Sequence, residues 1–146
     1  MQHTHHVIDM PTGAEIEFHD LTGRVRELIA GSGIRQGQVI VSALHTTCAV
    51  TVNENEPRLL QDIPDAMLRL VPKDAEYRHN DIEARGMPDE PRNAHAHVIA
   101  MLLGSSQTLS VVDGEPVLGT WQSILFVELD GPRRRRAGVQ ILGQAY

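Results

Sequence analysis

Cysteine is almost missing from this chain: Cys48 stands alone among 146 residues. An internal disulfide is therefore excluded, and nothing points to an oxidising compartment. Aromatic residues supply only 3% of the chain, so aliphatic side chains must build the core and the single Trp121 stands out. Lysine is reduced to Lys73, which leaves arginine as the working cation. Arginine suits bidentate contacts to carboxylates and phosphates, although a G- and C-rich genome produces the same bias. There is no excess of positive charge either. The formal net charge of −6 argues against a protein that coats nucleic acid or an anionic membrane. No apolar run approaches the roughly 20 residues needed to cross a bilayer. The first ten residues lack the basic patch and apolar stretch of a signal peptide. These absences together lead to the expectation of a cytoplasmic chain with neither a membrane nor a nucleic-acid partner.

Hydrophobic residues make up 41% of the sequence, enough for a real core in one domain spanning residues 1–146. Segments 3–9 and 14–18 read as short strands around a Pro-Thr-Gly turn. Asp20 then caps a helix whose stripe is Leu21, Val25, Leu28 and Ile29, stopped by Gly31 and Gly33. Segments 38–43 and 48–53 are rich in β-formers. Asp62 reads as the cap of a second helix, with Pro64 in its first turn and Met67, Leu68 and Val71 facing inward. Residues 73–92 are polar and without period, a long loop of the kind that usually serves a function. Asn93 is expected to cap a helix ending at Gly104. Strands at 108–112, 120–129 and 135–142 complete the chain, with turns at Asp113-Gly114 and Asp130-Gly131-Pro132. Elements interspersed without a βαβ rhythm favour an α+β fold with a large mixed, mostly antiparallel sheet packed by helices.

Histidine carries the strongest chemical signal among the residues present. His3, His5 and His6 belong to a terminal segment and His19 to a strand–helix corner. His45, His79 and the His95/His97 pair instead sit at segment boundaries among small or polar neighbours. Three neutral imidazoles converging on one point would make a zinc-type site with a free position; separate, individually satisfied histidines are the alternative. Positions two apart on a helix point about 200° from each other, so only one of His95 and His97 can face such a site. The stripe His97, Ala100, Met101, Gly104 reads as the more inward one. Glu54, at a strand end, is either a general base or a helix-start group. Glu128 lies in an apolar strand on the face of Ile124 and Phe126. A carboxylate there needs a metal, solvent or a partner such as a nearby arginine. Gly119-Thr120-Trp121-Gln122 reads as a pocket wall or as the entry of a core tryptophan. The run at 133–136 alternates faces and lacks aromatic neighbours, which favours anion binding or an ion pair over nucleic-acid contact.

The segment His45-Thr46-Thr47-Cys48-Ala49-Val50-Thr51-Val52-Asn53-Glu54-Asn55 resembles the H-T-[TS]-x-[AS]-x-T-x-N-E block of the YjbQ family. Tyr77-x-His79, Asn93-Ala94-His95-Ala96-His97, Leu103-Gly104, Gly119-Thr120-Trp121-Gln122 and Asp130-Gly131-Pro132-Arg133-x-Arg135 agree with it in order and spacing. The resemblance spans nearly the whole chain. It implies a homotrimer of α+β subunits with clefts between them. It also implies a divalent metal, zinc by its donor set, held by His45, His79 and His97. Glu54 and Glu128 are then the implied catalytic carboxylates, and Thr46, Asn53, Trp121, Gln122, Arg133 and Arg135 the implied substrate contacts. The family's label is secondary thiamine-phosphate synthase, which joins a pyrimidine pyrophosphate to a thiazole phosphate. The leading expectation is thus a metal-dependent enzyme on a small phosphorylated or otherwise anionic substrate. A zinc-assisted hydrolase and a non-catalytic metal-dependent ligand-binding module are the alternatives.

Overall fold

A computed structural model describes all 146 residues. The chain runs β1 (Gln2–Pro11), β2 (Glu17–Asp20), α1 (Thr22–Ser32), β3 (Gln36–Ala43), β4 (Cys48–Asn53) and α2 (Leu59–Leu70). A 3-10 turn (Arg78–Asn80) follows, then α3 (Ala94–Leu103), β5 (Ser106–Val112), β6 (Glu115–Pro116), β7 (Ser123–Glu128) and β8 (Arg134–Gln144). The strands form a five-stranded sheet in the order β1-β8-β3-β5-β6 and a three-stranded sheet in the order β2-β7-β4. The α+β class is as expected. Every pairing is antiparallel, and the sheet is divided into two layers.

That division explains the run of apolar residues in β7, which is buried almost throughout. A strand covered on both faces loses the alternation of a half-exposed one. Val50, Ile124 and Phe126 join Val39, Val41, Ala137, Val139 and Ile141 in a core between the two sheets, closed by Val25, Leu28 and Ile29 of α1. On the other face of the smaller sheet, Ala49, Val127 and Leu129 pack against Ala96, Ile99 and Ala100 of α3, with Met67 and Leu68 of α2 at the margin.

Several boundaries differ from those read in the sequence, each for a local reason. Asp20 lies one residue earlier than a formal cap, yet its Oδ1 still accepts the Thr22 N–H at 2.9 Å. Helix α2 begins at Leu59, ahead of Asp62, because Glu56 accepts the Leu59 N–H at 2.7 Å. Pro64 consequently falls inside the helix. Strand β7 starts only at Ser123, which leaves Thr120, Trp121 and Gln122 outside the ladder. Trp121 is 74% exposed; it is not a core tryptophan.

The two sheets are joined through a buried ion pair. Glu128, at the end of β7, is fully buried between them. Arg135 of β8 reaches it with Nε to Oε1 at 2.8 Å and Nη2 to Oε2 at 2.7 Å. The Thr12 hydroxyl donates to Oε1 at 2.7 Å, and the N–H groups of Leu129 and Asp130 donate to Oε2 at 3.0 and 3.1 Å. Burial alone would push this carboxyl up, but the Arg135 guanidinium, the Thr12 hydroxyl and the Asp130 N–H outweigh it and hold the carboxyl below its ordinary range. The Cys48 thiol, 3.5 Å from Oε2, is pushed up to about 12 by burial and by the Glu128 charge. It stays protonated and is no nucleophile.

Glu128→Gln is expected to destabilise the fold by about 3–5 kcal/mol, because it leaves Arg135 buried without a counter-charge. The pH dependence has a definite sign. A carboxyl whose folded pKa lies below its unfolded value stabilises the fold at neutral pH and loses that contribution as pH falls below about 4.5. Urea unfolding at stepped pH should therefore show the parent losing stability on acidification and Glu128→Gln losing less across the same range. A second expectation comes from the β3–β8 ladder, where Gly37 pairs with Gly143. A Cβ on Gly37 would lie 2.0 Å from the Leu142 carbonyl oxygen and 2.7 Å from the Gly143 Cα. Gly37→Ala should cost at least about 1–3 kcal/mol in the same measurement, since backbone cannot yield as a side chain does.

Candidate metal and anion cleft

The predicted histidines come together at one end of the fold. His45, Thr46 and Thr47 end the β3–β4 connection, His79 sits in the 3-10 turn, and His97 completes the first turn of α3. With Asp89, Glu90, Asn93, Asp130, Arg133 and Arg135 they line a cleft of about 600 Å³. The rings of His79 and His97 meet edge to face, centroids 4.8 Å apart. His45 lies across the same cleft, but its Nε2 accepts the Arg136 backbone N–H at 2.9 Å, so only Nδ1 is left for a ligand. As the side chains stand, no three His, Cys, Asp or Glu groups are close enough to share one ion.

The donor chemistry of the cleft nevertheless fits a borderline-soft divalent ion. Burial holds the His45 imidazole below its ordinary range, with Arg135 and Arg136 adding to the effect. Burial and then the neighbouring His79 do the same for His97. Both rings are neutral near pH 7, the form that coordinates metal. His79 and His97 already form a pair, whereas His45 is held by the Arg136 N–H.

The anion-binding side is built from the β7–β8 connection. Arg133 donates from Nε to the Asp130 carbonyl at 2.9 Å and from Nη2 to Asp130 Oδ2 at 3.1 Å. Its guanidinium is nearly half exposed and remains available to a ligand. Arg135 also borders the cleft, but Glu128 and the Thr47 hydroxyl, at 2.8 Å, hold its guanidinium. It contributes a fixed wall and little free hydrogen-bonding capacity.

Other expected site residues lie elsewhere. Glu128 is sealed beneath the cleft floor by the contacts described above, so it is a structural counter-ion and not a proton carrier open to substrate. Asn53, Glu54, Trp121 and Gln122 line a separate depression of about 400 Å³. It lies at the far end of β4, where Asn53 pairs with Ser123, whereas the histidine end of β4 pairs Cys48 with Glu128. Five residue steps along a strand separate the two ends by about 17 Å. Within one chain these four residues do not reach the histidines. Glu54 in particular has no access to the proton chemistry expected of it there.

The helix-face reading of α3 is corrected as well. His95 is only 2% exposed and Met101 is 85% exposed, so the inward face carries His95, Ala96, Ile99 and Ala100. His97 lines the cleft from the flank of the helix. Reading by residue type missed Asn93 and Asp130, which had a cap and a turn as sufficient explanations. The Asn93 side chain makes no cap; instead Asn80 Oδ1 accepts the Ala94 N–H at 3.0 Å.

Known proteins of similar sequence and structure give the family. Residues 6–144 match the family model described as UPF0047 protein YjbQ-like. A UPF0047 protein of Methanothermobacter thermautotrophicus is 44% identical over 137 residues, covering 94% of this chain and 90% of the relative. UPF0047 protein YugU of Bacillus subtilis is 32% identical over 137 residues, with 93% and 97% covered. The crystal structure of a protein from Sulfolobus solfataricus, described as YbjQ-like and of unknown function, superposes with a TM-score of 0.90 at 35% identity, over 98% of this chain and 99% of that one. A hypothetical protein from Aeropyrum pernix gives 0.87 at 38% identity, over 97% and 99%. The chain belongs to the YjbQ (UPF0047) family.

Proposed function

We propose that the cleft binds a divalent metal, zinc by its donor set, and acts on a small phosphorylated or otherwise anionic substrate. The observation that supports this reading is that His45, His79 and His97, from three distant segments, line one cleft together with Arg133 and Arg135. Neutral imidazoles favour zinc over magnesium, which prefers oxygen ligands. A bound ion would supply Lewis-acid polarisation of a substrate oxygen. Arg133 would anchor the anionic group, and Thr46 lines the same cleft. Secondary thiamine-phosphate synthesis is the family-based instance of such chemistry, and ester hydrolysis is another.

A metal-dependent binding module is the second reading, and one observation favours it. Neither carboxylate expected to manage a proton is in the cleft, since Glu128 is buried under Arg135 and Glu54 is at the other depression. The assembly expected from the family, a homotrimer, is part of the same proposal. The large apolar side chains left exposed, Leu70, Met101, Leu102 and Trp121, are of the kind that subunit contacts cover. No helix is long and apolar enough to cross a membrane, and a cytoplasmic location belongs to the same proposal.

The test is to strip the protein of metal, reload it with zinc, and assay phosphate-bearing heterocycles and hydrolysable esters, with His97→Ala in parallel. Activity should vanish on stripping, return with zinc, and fall more than about 100-fold in His97→Ala, beyond the loss typical of an outer-shell change. Activity indifferent to both treatments would overturn the metal-dependent mechanism. A folded, zinc-loaded protein inert toward every substrate would favour the binding module.

A further inference from the structure

Helix α3 opens with an asparagine that is buried yet leaves the cap to Asn80. Its amide is used sideways. Asn93 Nδ2 donates to Asp130 Oδ2 at 2.7 Å, and Asn93 Oδ1 lies 3.2 Å from His79 Nε2. The same Asp130 oxygen accepts from Arg133 Nη2 at 3.1 Å. A carboxylate gripped by an arginine accepts hydrogen bonds and has none to give. It therefore draws the NH2 end of the Asn93 amide toward itself and turns the carbonyl end toward the imidazole. A carbonyl oxygen can only accept, so the His79 nitrogen facing it must carry the proton.

We infer that Asn93 is a positioning residue that fixes which nitrogen His79 offers to the cleft. Asp130 orients the amide, and the amide locks the ring with its proton on Nε2 and its lone pair on Nδ1. This deepens the metal reading and rests on it in one respect, namely that the ligand taken up by Nδ1 is the ion. Imidazoles that bind metal characteristically donate their other N–H to a carboxylate or carbonyl, which sets the tautomer and the ring plane. Here a carboxylate acts through one intervening amide. Arg133, on the anion-binding wall, and His79, on the metal side, thus share a single carboxylate as their common reference point.

The tautomer is directly observable in long-range proton–nitrogen spectra of the metal-free full-length chain. They should be recorded at alkaline pH, about 8.5. The signals of His79 are assigned by their loss in His79→Gln. The parent should show one His79 form, protonated at Nε2. Asn93→Leu and Asp130→Ala should convert it to a mixture of both tautomers, while the exchange Asn93→Asp with Asp130→Asn, which keeps an acceptor facing His79 and one donor between the pair, retains the parent form. Zinc affinity, read by competition with a chromophoric chelator, should fall about 10–100-fold in Asn93→Leu. A parent ring protonated at Nδ1 or averaging between both forms overturns the inference, as does an unchanged His79 spectrum in Asn93→Leu. A locked Nε2–H ring in a protein that takes up no zinc would leave the relay standing and remove the metal reading instead.

Discussion

A carboxylate placed between two sheets has no water to fall back on, and the Glu128–Arg135 pair is the arrangement that makes this placement tolerable. Glu128 ends a strand of the smaller sheet and Arg135 lies at the start of the last strand of the larger one, so the pair clamps the β7–β8 connection, one of those that carry the chain from layer to layer. Its reach extends into the cleft. The Arg135 guanidinium also holds the Thr47 hydroxyl, and the Thr47 carbonyl accepts the Leu129 N–H at 3.1 Å. The segment bearing His45 and the segment bearing Asp130 and Arg133 are thus fastened to one buried charge. Asp130 orients Asn93, and Asn93 faces His79. The order of the cleft begins in the core.

That dependence explains which parts of the site were legible in the sequence. Glu128 was visible as an anomaly because strand alternation put a charge on the face of Ile124 and Phe126. The same rule could not say whether an arginine or the solvent answered it, since Arg135 meets it across two sheets whose packing no local period encodes. The α+β class followed from element order. The splitting of the sheet did not, because a strand covered on both faces and a strand deep in one wide sheet produce the same apolar run.

The α3 histidines failed for a related reason. Ala94–Leu103 is apolar nearly all round, and a helix without a polar face gives no stripe to orient it. Side-chain size decides the matter instead. Ala96 and Ala100 allow close approach to Ala49 and Val127 of the smaller sheet, which turns His95 inward and leaves Met101 outside. His95 is then held below its ordinary range, first by burial and then by Lys73, with neither ring nitrogen hydrogen-bonded. Asn93 went unread because an asparagine before a helix already has a sufficient explanation. Only the presence of Asn80 at the cap position shows that the amide is free for other use.

The longest motif in the chain, from His45 to Asn55, carries a further lesson about contiguity. Its two chemically interesting ends flank β4, so a strand about 17 Å long holds them apart more firmly than a flexible linker of any length would. Residues adjacent in a motif are therefore not neighbours in a site. For the Asn53, Glu54, Trp121 and Gln122 end to serve the same ligand as the histidine end, the second end must come from another copy. A two-fold dimer brings identical patches together, whereas a closed ring places unlike patches of successive copies in contact. A closed ring is the kind of assembly in which this motif would act as one site, and the exposed indole of Trp121 lies on the end that would have to reach across.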